Sequence, residues 1–367
     1  MVKFLWKGFL FCLPIIIVFG IPFWIMYRSG ELISDDQLVE REASTQPVIV
    51  GDILSDPTDY VQLNAAIAKN PTVLVLGSSR SRQFRSTFFN PSTTVYTAGG
   101  IIQDIRSFRE YLNHIPPEKD PKVLIIGLDQ RLFSEAYDAI HPADIEDLLT
   151  NPISTQSVLA NWSLVYQYYF EKKFTLAQVI NATDTVGLLA NANGEGYRND
   201  GSYDPGTEEY FAPSVTSDYI TGIDNGSDGF EHDPTVSSSS ITELNAFLAE
   251  CKMRGIAVIG FAPPFSPEIY AKMLSMPSDY GYLTGLSQAV EPLFKKYSYS
   301  FYNFTNPATL GLTARDMQDG AHPTERGTLI MFLKMVEANT TLQQYANPAY
   351  IKKILSTTQA ETNVFAK

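Results

Sequence analysis

The sequence predicts an α/β protein: a three-layer α/β/α sandwich on a parallel sheet, preceded by one N-terminal transmembrane helix and interrupted by a large insertion. Three observations carry this. The continuous apolar runs Thr72–Gly77, Lys122–Leu128 and Gly255–Phe261 have the texture of strands buried on both faces. Amphipathic segments alternate with them, as in folds that layer helices on a sheet. Ahead of them all, Gly8–Tyr27 carries no charge.

With 367 residues, 44% hydrophobic and 18% charged, the chain is long and apolar enough to bury a sizeable core, which excludes disordered, fibrous and coiled-coil classes. Two cysteines, Cys12 and Cys251, cannot form a disulfide framework or a Cys-based zinc cluster. The net charge is -13; two of the 27 basic residues, Lys3 and Lys7, precede every acid, leaving 25 against 40, or -15, for the remainder. Nucleic-acid binding relies on clustered cations and is therefore disfavoured.

The Gly8–Tyr27 run, at 1.5 Å per residue, spans the roughly 30 Å of a bilayer core. Lys3 and Lys7 before it, and the acidic stretch after Arg28, predict a cytoplasmic N-terminus and an exported remainder. Pro14 and Pro22 are tolerated in lipid-embedded helices. A cleavable signal needs small residues at the cut, whereas Trp24–Tyr27 is bulky, and Cys12 follows Phe11 rather than the small residue a lipidation signal requires. Residues 1–28 thus read as a cytoplasmic stub and an uncleaved anchor contacting the bilayer through residues 8–27.

Residues 29–70 read as a polar, acidic stalk with an entry helix at Tyr60–Lys69, and 71–345 as the folded domain. After the first apolar run come a shorter strand, Thr93–Thr97, and a helix, Asp104–Asn113, with Ile105, Phe108 and Leu112 at helical spacing. Ile241–Lys252 places Ile241, Leu244, Phe247 and Leu248 on one stripe ahead of the run at Gly255. A last strand, Ser300–Phe304, precedes a helix over Pro323–Ala338. The alternation breaks between 134 and 240, too long for a connection, so this interval reads as an inserted lid or subdomain. Residues 346–367 read as a C-terminal tail.

Two motifs suit chemistry. The first strand ends in Gly77-Ser78-Ser79-Arg80-Ser81, where a serine projects beyond the carboxyl edge of the sheet. A serine at such a turn also serves as a helix cap. Near the other end stands Asp319-Gly320-Ala321-His322-Pro323. An imidazole activates a hydroxyl best when a carboxylate fixes its tautomer, and an Asp three residues earlier supplies one. Pro323 suits the first helical position, which predicts His322 at the N-cap. The other histidines, His114, His141 and His232, lack such a carboxylate.

Together, Gly-x-Ser after the first strand and Asp-x-x-His before the last helix resemble the SGNH, or GDSL-like, hydrolase superfamily, which has a flavodoxin-like sandwich. The resemblance implies Ser79 as nucleophile, His322 as base and Asp319 as its orienting acid. It implies an oxyanion hole of Ser79 N–H with a glycine of Tyr96-Thr-Ala-Gly99-Gly100, Gly100 slightly preferred over Gly99. The family's third block, Gly-x-Asn-Asp, reads Gly127-Leu128-Asp129-Gln130 here, and an ionised Asp cannot donate. Either Gln130 takes over, or the hole depends on backbone N–H groups, or Asp129 does something else.

This altered block is similar to that of membrane-anchored SGNH-like proteins of cell-surface acylation, such as D-alanyl-teichoic-acid transfer proteins and partners of membrane-bound O-acyltransferases. The resemblance implies a serine esterase or O-acyltransferase acting on acyl esters of an envelope polysaccharide. A cell-surface glycan or acyl carrier, and a membrane-bound O-acyltransferase, are the implied partners; no metal or cofactor is called for. Arg80, Asp129 and Arg198 are candidate substrate contacts, with Arg82 and Arg85 beside Arg80 as further attractors of an anionic carrier. Phe261–Pro267, with three prolines, reads first as a strand end and second as a pocket wall. The competing reading is a non-catalytic protein that keeps the fold to bind glycan or scaffold an acyltransferase complex.

Overall fold

The computed structural model describes residues 2–140, 145–206, 213–358 and 360–365; His141 lies outside them. The described residues hold nine strands: β1 (Ile49–Val50), β2 (Val73–Gly77), β3 (Val95–Gly99), β4 (Val123–Gly127), β5 (Thr185–Val186), β6 (Glu195–Arg198), β7 (Tyr203–Pro205), β8 (Ala257–Ala262) and β9 (Ser300–Asn303). The chain divides into two compact units.

The larger unit comprises residues 62–150, 200–202 and 209–367. Its sheet has the order β3-β2-β4-β8-β9, parallel throughout. The three long apolar runs are therefore its adjacent central strands. β3 begins two residues later than the expected 93–97, because Thr93 N–H closes a turn onto Asn90 O at 2.8 Å.

Successive residues of a strand face opposite ways, and here each set finds its own apolar partners. Leu74, Leu76, Leu124 and Ile126 join Phe108, Leu112, Phe247 and Val290 in one cluster. These partners come from the helices Ile105–His114, Ser238–Met253 and Gly281–Lys296. Val73, Val75, Val123 and Ile125 join Leu329, Phe332 and Val336 of the helix Glu325–Ala338 in another. The C-terminal residues, read as a tail, contribute buried Ile351 and Val364 to this second cluster.

The smaller unit comprises residues 1–61, 151–199 and 203–208. It opens with the helix Val2–Ser29, of which Trp6–Ser29 is long and apolar enough to cross a membrane. Residues beyond it, expected to form a polar stalk, instead fold. Ser34 caps the helix Asp35–Ala43, and β1 lies between β5, parallel, and β6, antiparallel, with β7 outside β6. The few apolar residues of this stretch suffice because they are used together: Leu38, Val50, Val61 and Val186 form one buried cluster. The interval 134–240 is accordingly not one inserted body, since 151–199 groups with the N-terminal residues and Asp200–Ser202 with the sheet.

Gly77 and Gly127, at the carboxyl ends of β2 and β4, have no room for a side chain. A Cβ at Gly127 would strike Ser81 Oγ and come within 3.2 Å of the Phe261 ring. Gly127→Ala should therefore cost about 1–3 kcal/mol, as overpacking does, and lower the denaturant midpoint of the detergent-solubilised protein. An unchanged midpoint would contradict this packing.

Candidate active site

The turn after β2 separates its serines by task. Ser78 is the cap of the 3₁₀ turn Ser79–Ser81: its Oγ accepts from Arg80 N–H at 3.2 Å and donates to Asp129 Oδ2 at 2.7 Å. Ser81 Oγ is buried between the two glycines. Ser79 alone of the three lines a cavity of about 110 Å³, together with His322, Ala321, Asp129, Arg131 and Phe265.

Ser79 Oγ lies 2.8 Å from His322 Nε2, although 243 positions separate the two residues. On the far side of the ring, Asp319 Oδ2 lies 2.8 Å from Nδ1. A carboxylate only accepts, so Nδ1 carries the proton and Nε2 is left to accept from the serine hydroxyl. The same carboxylate receives the backbone N–H groups of Ala321 and His322, each at 2.8 Å. Burial raises the Asp319 pKa, but its hydrogen bond to His322, the attraction of that ring and the two backbone donors outweigh burial and hold it at about 2. Asp319 is thus both the anchor of a tight turn and the group that fixes the imidazole. Tyr219 also donates to it, and burial with the neighbouring Asp319 charge raises the tyrosine pKa.

His322 is not the N-cap expected for it. The last helix begins at Glu325, and Thr324 caps it by accepting from Gly327 N–H at 3.1 Å. His322 and Pro323 are held extended instead, with Met317 bridged to Pro323 and Gln318 N–H donating to His322 O at 2.7 Å. The tautomer therefore rests on Asp319, not on a helix dipole.

The expected oxyanion donors are differently disposed. Gly100 N–H already donates to Gly77 O at 2.9 Å, and Gly99 packs against the Arg82 backbone. Gln130 is buried, and its amide donates to Pro263 O at 2.7 Å and Thr305 Oγ1 at 2.8 Å. Ser79 N–H remains of the expected set. Asp129 accepts from Ser78 Oγ and lies 4.0 Å from Arg80 Nη1 and 3.9 Å from Arg131 Nε. It acts as a counter-charge.

Arg80 was expected to face substrate, but its donors are turned into the protein. Nε reaches Ala321 O at 2.9 Å, Nη1 reaches Gln130 Oε1 at 2.7 Å, and Nη2 reaches Pro263 O and Pro264 O at 3.0 and 2.7 Å. Its guanidinium carbon stands 4.3 Å from the centre of the Phe265 ring. The prolines read first as a strand end thus also wall the cavity through Phe265. Arg85 is likewise engaged, with Glu325 at 3.0 Å, and Arg82 Nε donates to Gly99 O at 3.3 Å. Arg198 falls in the smaller unit, where it pairs with Asp204 at 2.6 Å.

His114 pairs with Glu146, and His232 reaches Ile223 O. The described residues contain no group of three metal-ligating side chains. Sequence reasoning missed Tyr219 and Arg131. Adjacency to Gln130 was the signal for the second. Comparison with family models, curated proteins and solved structures gave no match.

A lysine at position 80 keeps the charge but presents it from a single point, unable to serve acceptors on three separate loops. Arg80→Lys should therefore destabilise the protein by about 3–5 kcal/mol, the range for disrupting a buried charge and its partners. Circular-dichroism melting checks this, and a parental midpoint would contradict it.

Proposed function

We propose that the protein is a membrane-anchored extracytoplasmic serine esterase or O-acyltransferase of SGNH type, acting on acyl esters of a cell-envelope polysaccharide. The observation that carries the reading is the Ser79–His322–Asp319 relay, with its 2.8 Å contact at each ring nitrogen. The sheet order and the two apolar clusters drawn from alternate strand residues support a flavodoxin-like three-layer sandwich for the larger unit. The apolar Trp6–Ser29 helix, with Lys3 ahead of it, supports a single-pass anchor with its N-terminus inside.

In this reading Ser79 Oγ attacks the acyl carbonyl carbon as its proton passes to His322 Nε2. The tetrahedral adduct carries its negative oxygen toward Ser79 N–H and Arg131, whose Nε is buried without a hydrogen-bond acceptor. Collapse breaks the ester bond, and the leaving alcohol takes the proton from Nε2. A sugar hydroxyl or water then gives its proton to Nε2 and attacks the acyl-serine, and Ser79 recovers its hydrogen. The cell-surface glycan, an acyl carrier and a membrane-bound O-acyltransferase are the partners this reaction calls for.

The spent amide of Gln130 and the occupied N–H of Gly100 favour a second reading, a glycan-binding scaffold that keeps the fold without turnover. One reagent separates the two and reports sidedness. A membrane-impermeant fluorophosphonate added to intact spheroplasts should label the parent and Ser81→Ala, and should leave Ser79→Ala unlabelled. Labelling only after lysis would contradict the topology. An unlabelled parent in lysate would favour the scaffold.

A further inference from the structure

The long N-terminal helix contains Pro22, and a proline has no N–H to offer the carbonyl four residues earlier. That carbonyl belongs to Val18. In the structure it is not left open: Tyr166 Oη donates to Val18 O at 3.0 Å. Beside it the Trp162 ring stands 4.6 Å from Phe19, and at the helix end Arg28 Nη2 donates to Ile180 O at 2.7 Å. The helices Trp162–Phe170 and Leu176–Asn181 thus run along the second half of the apolar helix. Ile25, Met26, Val165, Phe174 and Val179 form their common core.

Two features separate this arrangement from an ordinary soluble contact. Water would satisfy the Val18 carbonyl at no cost, whereas in hydrocarbon an orphan carbonyl costs several kcal/mol, and a neighbouring helix must then supply the donor. The outer faces of the two helices also carry exposed apolar side chains among polar ones such as Gln167 and Gln178: Phe170 is 76% exposed, Ile180 50%, Tyr169 41% and Leu176 39%. They continue the exposed surface of the anchor, which reaches Trp24 and Tyr27. Val18 lies about 14 Å inside Tyr27 along the helix axis, at 1.5 Å per residue. A bilayer covering the anchor up to Tyr27 covers whatever packs there.

We propose that Trp162–Asn181 is a second membrane element, a helical brace lying in the outer leaflet against the anchor, with Phe170, Leu176 and Ile180 in contact with lipid. Its turn, Glu171 to Lys173, holds an ion pair of 3.3 Å. Pairing lowers the cost of carrying these charges beside the acyl chains. The inference rests on the anchor reading and extends it.

The test uses the full chain with Cys12→Ser, Cys251 being buried, in vesicles of phosphatidylethanolamine and phosphatidylglycerol. Nitroxide labels are placed on Phe170→Cys and Ile180→Cys. Phe11→Cys on the anchor and Lys353→Cys on the larger unit serve as references. Collisions with oxygen report lipid, and collisions with a polar nickel chelate report water. Positions 170 and 180 should favour oxygen, as position 11 does, while 353 favours nickel. Nickel-favouring labels at 170 and 180 beside an oxygen-favouring 11 would overturn the brace alone. Labels at 170 and 180 shielded from both reagents would also overturn it, in favour of a covering protein. A nickel-favouring label at 11 would overturn the anchor itself.

Discussion

A buried guanidinium organises the site. Arg80, 5% exposed, comes from the turn that presents Ser79. It binds the loop of His322 through Ala321 O, the end of β4 through Gln130, and the end of β8 through two proline carbonyls. Burial lowers its pKa, and the nearby Asp129 charge offsets only part of that shift. A charge taken out of water is tolerable only when its donors are satisfied. Here the acceptors are supplied by the segments that must meet for Ser79 and His322 to touch, so satisfying the charge and aligning the serine with the imidazole are one event. Asp129 fits the same logic: between two guanidiniums a carboxylate serves better than an amide.

The central strands were legible because being covered on both faces leaves a mark in consecutive residues, and Val73–Gly77, Val123–Gly127 and Ala257–Ala262 show it. The Asp319–His322 contact was legible in their local spacing, and Ser79 was singled out through the resemblance of its motif. What failed depends on partners remote in sequence. Nothing near Gly100 reveals that its N–H is taken by Gly77 O, and nothing near Gln130 points to Pro263 or Thr305. Residues 29–70 looked like a stalk with an entry helix because their apolar residues ahead of that helix are few, and Leu38 and Val50 find their partners only in Val186 and the strands around it. The helix start slipped from Pro323 to Glu325 because Thr324 is the better cap, a competition between neighbours that spacing alone does not decide.

The two units differ in what they spend their residues on. The larger one gathers chemistry at the carboxyl end of a parallel sheet, where strand ends and following turns leave backbone groups and side chains facing one cavity. The smaller one has a short mixed sheet and helices whose apolar surface exceeds what its own core buries.

The central claim is that Ser79 becomes acylated with His322 as its base. Rapid acid quenching after mixing the purified protein with p-nitrophenyl acetate, followed by peptide mass mapping, reads this directly. The account predicts one acetyl group on the peptide containing Ser79, with none there in the His322→Ala variant. Acetylation spread over surface lysines with Ser79 unmodified, or equal modification of Ser79 without His322, would contradict it.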